Sequence, residues 1–220
     1  MVKDREPITL DKIKAAHSER REEIRTRLEE FRAIKCERND DRLWEEMVFC
    51  FFTGGCSAVM GLRSLERVRP LLKTGTETQL AGSLSGVHRY PNERARYIVE
   101  SRNFLREDCD LRLTERLEGF DSDIERRDWL AREKGIKGLG YKEASHFLRN
   151  VGYRGYAILD KHVLRCLAEL KIIDEPKPPK GRSEYLTVEG KLRSLTSAVG
   201  IDFDELDLVL WSIKTGMILK

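Results

Sequence analysis

The chain has 220 residues and a mass of 25.6 kDa, enough for one domain or two small ones, and it is 40% hydrophobic and 36% charged. No apolar run approaches the ~18 residues a membrane span needs, which excludes a membrane role. A net charge of +3, from 41 basic and 38 acidic residues, is too small to argue nucleic-acid binding by itself, and the charged opening MVKDREP does not read as a secretory signal, so a cytoplasmic protein is expected.

Apolar residues recur at helical spacing almost throughout, and period-two alternation is hard to find, so the chain reads as all-α. Thr9 is placed to cap a long charged helix running to about Cys36, with Leu10, Ile13, Ile24, Leu28 and Phe31 as its buried positions. Asp40 or Asp41 caps the next, through RLWEEMVFCFF, which is apolar enough to be central. The small residues of TGGCSAVMG permit close approach of helices or of a ligand. Pro70, Gly75, Gly82 and Gly86 then break the middle into short helices, and Pro91 opens another through about Arg106. Ile124 and Leu130 mark a helix leading into the segment GIKGLGYKEASHF, residues 135–147. Val163, Leu164, Leu167 and Leu170 mark one beyond it. The proline-rich stretch 174–183 is a linker, followed by final helices at roughly 184–198 and 203–214.

Five scattered cysteines, at 36, 50, 56, 109 and 166, suit reduced thiols in the core better than a disulfide framework. The histidines at 17, 88, 146 and 162 lack zinc-ligand spacing, and neither a metal nor a cofactor is expected.

Charge is distributed unevenly. Residues 134–171 hold eight Lys or Arg against three acids, so this stretch carries +5 and the remainder is slightly acidic. Within it, a turn between helices needs Gly138 or Gly140 for backbone reasons, but it does not need Lys142, whose ammonium is modestly unfavourable in the first turn of a helix. Ala144, Phe147, Leu148 and Val151 share one face of that helix, while Lys142, His146 and Arg149 share another, ordinarily a solvated one. A tight Gly-Leu-Gly turn also exposes backbone N–H groups at a helix start, where a phosphate oxygen can be received without sequence readout, and Lys137, Arg154 and Lys161 add long-range attraction. Asp160, 18 residues after Lys142, is placed as an N-cap. Chemistry at the anomeric carbon of a nucleoside needs a nucleophile and a carboxylate to stabilise positive charge on the sugar, and Lys142 and Asp160 are candidates for these roles.

The stretch GIKGLGYKEASHFLRNVGYRGYAILDKHVLRCL resembles the helix-hairpin-helix, Gly/Pro-rich loop and aspartate signature of the endonuclease III superfamily of DNA glycosylases, including the lysine of its bifunctional members. It departs from that pattern at Ile158, where many members carry proline, and it lacks the C-terminal four-cysteine motif of the iron-sulfur branch. Over residues 40–220 the chain is most similar to the compact, mainly archaeal second class of 8-oxoguanine DNA glycosylase/AP lyases, through ILDKHVLR, TGGCSA and the ending LWSIKTGMILK.

The resemblance implies two helical subdomains, residues 38–152 and residues 1–37 with 153–220, with the active site in the cleft between them. It implies a monomer acting on double-stranded DNA that excises 8-oxoguanine and cleaves the abasic site by β-elimination. Lys142 is the implied Schiff-base nucleophile and Asp160 its assisting carboxylate. An attacking lysine acts as the free amine, and a helix start, neighbouring cations and partial desolvation all work in that direction. Lys137, Gly138, Gly140, His162 and Arg165 are implied DNA contacts, His162 to a phosphate. Trp211 and the terminal Lys220 match positions that bind the extruded base, and Asp207, one turn before Trp211, is a candidate acceptor from the guanine edge, although such an aspartate is more often solvated. The alternatives are a glycosylase/lyase for an oxidised pyrimidine, a helix-hairpin-helix DNA-binding module without catalysis, and a plain helical interaction protein.

Overall fold

The computed structural model describes residues 7–218, so Lys220 lies outside the described residues. Among the described residues the chain is all-α, with eleven α-helices, one 3-10 turn and no strand. No helix among them is long and apolar enough to cross a membrane. The chain forms two compact units, Met1–Arg32 with Gly152–Lys220, and Ala33–Val151.

The 33–151 unit is organised on α2 (Asp40–Thr53), whose Met47, Val48, Phe49, Phe51 and Phe52 have no exposed surface. Each such side chain contributes about 1.5–3 kcal/mol of burial free energy, which makes this helix the hydrophobic axis. It touches α3 (Ala58–Val68), α5 (Pro91–Cys109), α6 (Leu113–Glu118) and α8 (Tyr141–Asn150). Gly61 of α3 permits one of these contacts, because a Cβ there would stand 3.0 Å from the Phe49 ring. The cap of α2 differs from expectation. Asn39 accepts from the Arg42 N–H, while Asp40 instead accepts from both the backbone N–H and the hydroxyl of Thr114, at 2.7 and 2.6 Å. That carboxylate fastens α6, a helix too short for its periodicity to show. Gly82, expected to break the chain, lies inside α4 (Glu77–Leu84), where its missing side chain costs helix propensity but no hydrogen bond. Pro91 does open α5.

In the other unit, Thr9 Oγ1 accepts from the Lys12 N–H at the start of α1 (Leu10–Glu37). Ile13, Ile24 and Phe31 are buried as their spacing predicts, but Leu10 is 40% exposed and Leu28 only half-buried. The remaining helices of this unit are α9 (Lys161–Glu169), α10 (Arg182–Val199) and α11 (Phe203–Thr215). Glu205 of α11 receives Arg25 and His17 from α1, and Ser212 accepts from Arg20 at 2.9 Å. Lys214 pairs with Glu169 of α9 at 2.7 Å. Leu206, Asp207, Leu208, Val209 and Leu210 are all buried, while Ile213 is partly exposed. The helix is therefore enclosed on more than one side.

The five cysteines are free thiols, but only Cys50 and Cys166 are buried, so the expectation that most lie in the core fails for Cys36, Cys56 and Cys109.

Candidate active site

The hairpin joins α7 (Asp123–Arg132) to α8 through residues 133–140. Its two flanking glycines are not equivalent. Gly138 has φ +75°, and a Cβ there would lie 2.5 Å from Tyr97 Cδ2, so both conformation and close packing demand glycine. Gly140 has φ −88°, and its Cβ would meet nothing closer than 3.4 Å. It is the N-cap of α8, with no side-chain hydrogen bond to the helix start. Apolar Ile136 and Leu139 are buried, and the Lys137 N–H donates to Ser101 Oγ at 2.8 Å, so the turn is anchored to α5 from within. The helix start thus presents backbone donors and a partial positive charge beside residues with little bulk.

Lys142 stands in the first turn of α8, one-quarter exposed, with its Nζ 2.9 Å from Glu143 Oε1. The expected surroundings were cationic; the structure places a carboxylate against the amine. The rest of the polar stripe is not a solvated face. His146 is buried edge-on to the Phe49 ring at 5.7 Å, and Arg149 is buried with Nη2 donating to Asn150 Oδ1 at 3.3 Å. Asn150 donates in turn to Glu46, which has no exposed surface and also pairs with Arg42 at 3.2 Å. These groups form part of the unit's interior, where a charge persists only with partners.

The positive field of residues 134–171 is likewise weaker than the count suggests. Arg154 is held by Asp204 and Asp202, at 2.6 and 2.9 Å, Lys137 is 3.5 Å from Glu100, and Arg149 is buried. Lys134, Lys161, Arg165 and Lys171 remain exposed, with Lys161 and Arg165 one turn apart on α9.

Asp160 is the N-cap of α9, and its Oδ1 accepts from the N–H groups of His162 and Val163 at 2.8 and 2.9 Å. One carboxylate oxygen therefore fixes the side chain's direction. His162 lies edge-on to the Trp211 ring, with centroids 6.3 Å apart and an interplanar angle of 82°. Burial first, then Lys161, Arg165 and Lys214, hold the His162 imidazole below its ordinary value against the opposing pull of Asp160. Its ring is therefore mainly neutral at neutral pH. Trp211 is partly exposed. Asp207 is 2% exposed, and its Oδ1 accepts from the Ile158 N–H at 3.1 Å, which overturns the solvated reading.

That bond belongs to a set that sequence reasoning missed. The loop before Asp160 is held through side chains of α10 and α11: Gly155 N–H donates to Asp204, Ala157 N–H to Glu189 at 3.0 Å, and Leu159 N–H to the Tyr185 hydroxyl at 3.4 Å. The signal was present in α10, where Tyr185, Glu189, Leu192, Leu195 and Val199 are buried at spacings of three and four. A carboxylate in such a stripe implies a buried donor.

An uncapped helix start behind a glycine turn, with a lysine in its first turn, defines the chain as a helix-hairpin-helix protein carrying a candidate nucleophile. The chain belongs to the 8-oxoguanine DNA glycosylase family, whose model matches residues 24–201. It is 41% identical over 201 residues to the Korarchaeum cryptofilum 8-oxoguanine DNA glycosylase/AP lyase, covering 91% of each chain. To the Methanocaldococcus jannaschii protein of the same description it is 37% identical, covering 93% of this chain and 95% of that one. The crystal structure of Methanocaldococcus jannaschii 8-oxoguanine glycosylase/lyase in complex with a 15mer DNA containing 8-oxoguanine superposes with a TM-score of 0.87 at 35% identity, covering 96% of this chain and 99% of that one. That of the Thermotoga maritima 8-oxoguanine DNA glycosylase gives 0.84 at 36% identity, covering 96% and 98%.

Proposed function

We propose that this protein excises 8-oxoguanine from duplex DNA and cleaves the resulting abasic site, with Lys142 as nucleophile and Asp160 as the assisting carboxylate. The observation that carries the assignment is the placement of the Lys142 amine on the uncapped first turn of α8, behind the Gly138 turn. In a family member, an otherwise unfavourable ammonium at that position has a chemical use.

The hairpin N–H groups, Lys137 and the exposed Lys161 and Arg165 receive backbone phosphates, and the damaged nucleotide is turned out of the duplex. His162 contributes a neutral donor to a phosphate, and the partly exposed Trp211 stacks on the extruded base, worth about 1–3 kcal/mol for such stacking. The free amine of Lys142 attacks C1′ as the C1′–N9 bond breaks, so that the base leaves with the bonding pair and takes up a proton while Nζ loses one. Asp160 stabilises the positive charge that develops on the sugar and accepts the proton from Nζ. Cleavage of C1′–O4′, with a proton passing to O4′, opens the ring and leaves an iminium between Nζ and C1′. Loss of a C2′ proton then expels the 3′ phosphate by breaking C3′–O3′, and water releases the unsaturated aldehyde from the lysine. No redox partner is required. The action belongs on chromosomal DNA in the cytoplasm.

Borohydride reduces the iminium to a stable amine and so tests the reading directly. With a labelled duplex carrying one 8-oxoguanine, the protein forms a trapped complex, and duplexes carrying an oxidised pyrimidine or normal guanine do not. Lys142→Gln binds the duplex but neither traps nor cleaves it. Persistent trapping by that variant would remove Lys142 from the mechanism, and trapping only on the oxidised pyrimidine would change the substrate.

A further inference from the structure

We propose that Tyr185 and Glu189 of α10 are positioning residues for Asp160, acting through the loop that precedes it; the proposal rests on the catalytic reading above. Three consecutive N–H groups, of Ala157, Ile158 and Leu159, are each taken by a different side chain: Glu189 Oε2, Asp207 Oδ1 and Tyr185 Oη. The Tyr185 hydroxyl also donates to the Ala157 carbonyl at 2.7 Å, so a single oxygen spans the loop on both sides of Ile158. Tyr185 is 3% exposed and Glu189 8%, so these bonds form largely away from water, where a lost partner leaves a buried group unsatisfied. The Ile158 carbonyl then accepts from the Asp160 N–H at 2.8 Å, closing the turn into α9. Asp160 is consequently held twice, its main chain from α10 and α11 and its carboxylate by the helix it caps. A proline at 158 would limit the loop's conformations by fixing φ and would supply no N–H; this chain limits them with side chains from outside the loop.

A carboxylate that must face one reacting carbon tolerates little displacement, and a shift of about 1 Å costs on the order of 100-fold in rate. Tyr185→Phe keeps the ring and removes only the hydroxyl. It is expected to lower the single-turnover rate of 8-oxoguanine release roughly 10- to 100-fold with DNA affinity unchanged. The decisive comparison repeats the substitution in an Asp160→Asn background, where there is no charge left to place and the further loss falls below about twofold. Glu189→Ala, read through the same cycle, gives a second route to the answer. Rates within twofold of the parent for both variants, or equal losses in the two backgrounds, would overturn the positioning role. Failure of the parent protein to release 8-oxoguanine would instead overturn the catalytic reading, and Asp160→Asn at the parent rate would remove Asp160 from it.

Discussion

Replacing Gly138 by alanine tests the geometry that delivers Lys142. The residue sits at φ +75°, where an L side chain costs about 1–2 kcal/mol relative to glycine. The added Cβ would also stand 2.5 Å from Tyr97 Cδ2 and 2.9 Å from Cε2, about 1 Å inside ordinary contact. The ring cannot swing away freely, since its hydroxyl donates to Glu93 at 2.9 Å and the Arg94 and Arg96 guanidinium groups lie 5.1 and 5.6 Å from its centroid. Overpacking of this kind costs about 1–3 kcal/mol, so the sum is about 2–5 kcal/mol. With a urea slope near 2 kcal/mol/M, the unfolding midpoint falls by roughly 1–2.5 M. In a Tyr97→Ala background the steric part disappears, leaving about 1–2 kcal/mol for the backbone alone. A loss under about 0.5 kcal/mol, or the same loss in both backgrounds, would refute the account of why this position is glycine.

Gly140→Ala should lower the unfolding free energy by no more than about 1 kcal/mol, the preference of an N-cap for glycine over alanine, because neither φ nor packing opposes a methyl group, yet weaken duplex binding where a phosphate must approach the helix start; unchanged affinity would place the phosphate elsewhere. Asp160→Asn should slow base release by orders of magnitude while its amide oxygen still caps α9, so near-parental kinetics would reduce Asp160 to a cap. His88 accepts the Tyr90 N–H at Nδ1 and donates from Nε2 to the Phe52 carbonyl, and burial holds its imidazole below 6.5. Its neutral form thus contributes stability that is present above pH 6.5 and lost as pH falls through the lowered folded-state value, and His88→Asn should flatten that acid limb; an identical limb in the variant would contradict the assignment. Burial pushes the Cys166 thiol up to about 12, so iodoacetamide should label exposed Cys36 rapidly and leave Cys166 unmodified in the folded protein, as mass spectrometry of the peptides can show.

The helices were legible because their signals are local. Pro91 at the start of α5 and the apolar stripe through Val163, Leu164 and Leu167 need only neighbours within a turn or two. Where a partner comes from a distant segment, the local rule misleads. Asp40 is as good a cap as Asn39, and what diverts it is Thr114, 74 residues away. Leu10 belongs to the apolar stripe by spacing, but the helix begins there and its end is open to solvent. Gly82 reads as a breaker, yet neighbours of good propensity and a Thr76–Gln79 capping box carry α4 across it.

The same division runs through the candidate site residues. Lys142, Gly138 and Asp160 stand out because each violates or satisfies a local rule that can be read from a few residues: a cation at a helix start, a glycine at a turn, an acid at an N-cap. The groups proposed to position Asp160 do not. Tyr185 and Glu189 look like ordinary members of an amphipathic helix until the Ala157 and Leu159 N–H groups are seen beneath them. His146 and Arg149 are polar by type but buried, His146 edge-on to Phe49 and Arg149 bonded to Asn150. A residue that does chemistry needs an identity that the sequence displays, whereas a residue that places it needs only a donor or an acceptor at the right distance, which many side chains supply. The support of a site is therefore harder to read than the site, and Ile158 shows why. Its side chain says only that a proline is missing, while its main-chain N–H, invisible in the sequence, is what Asp207 holds.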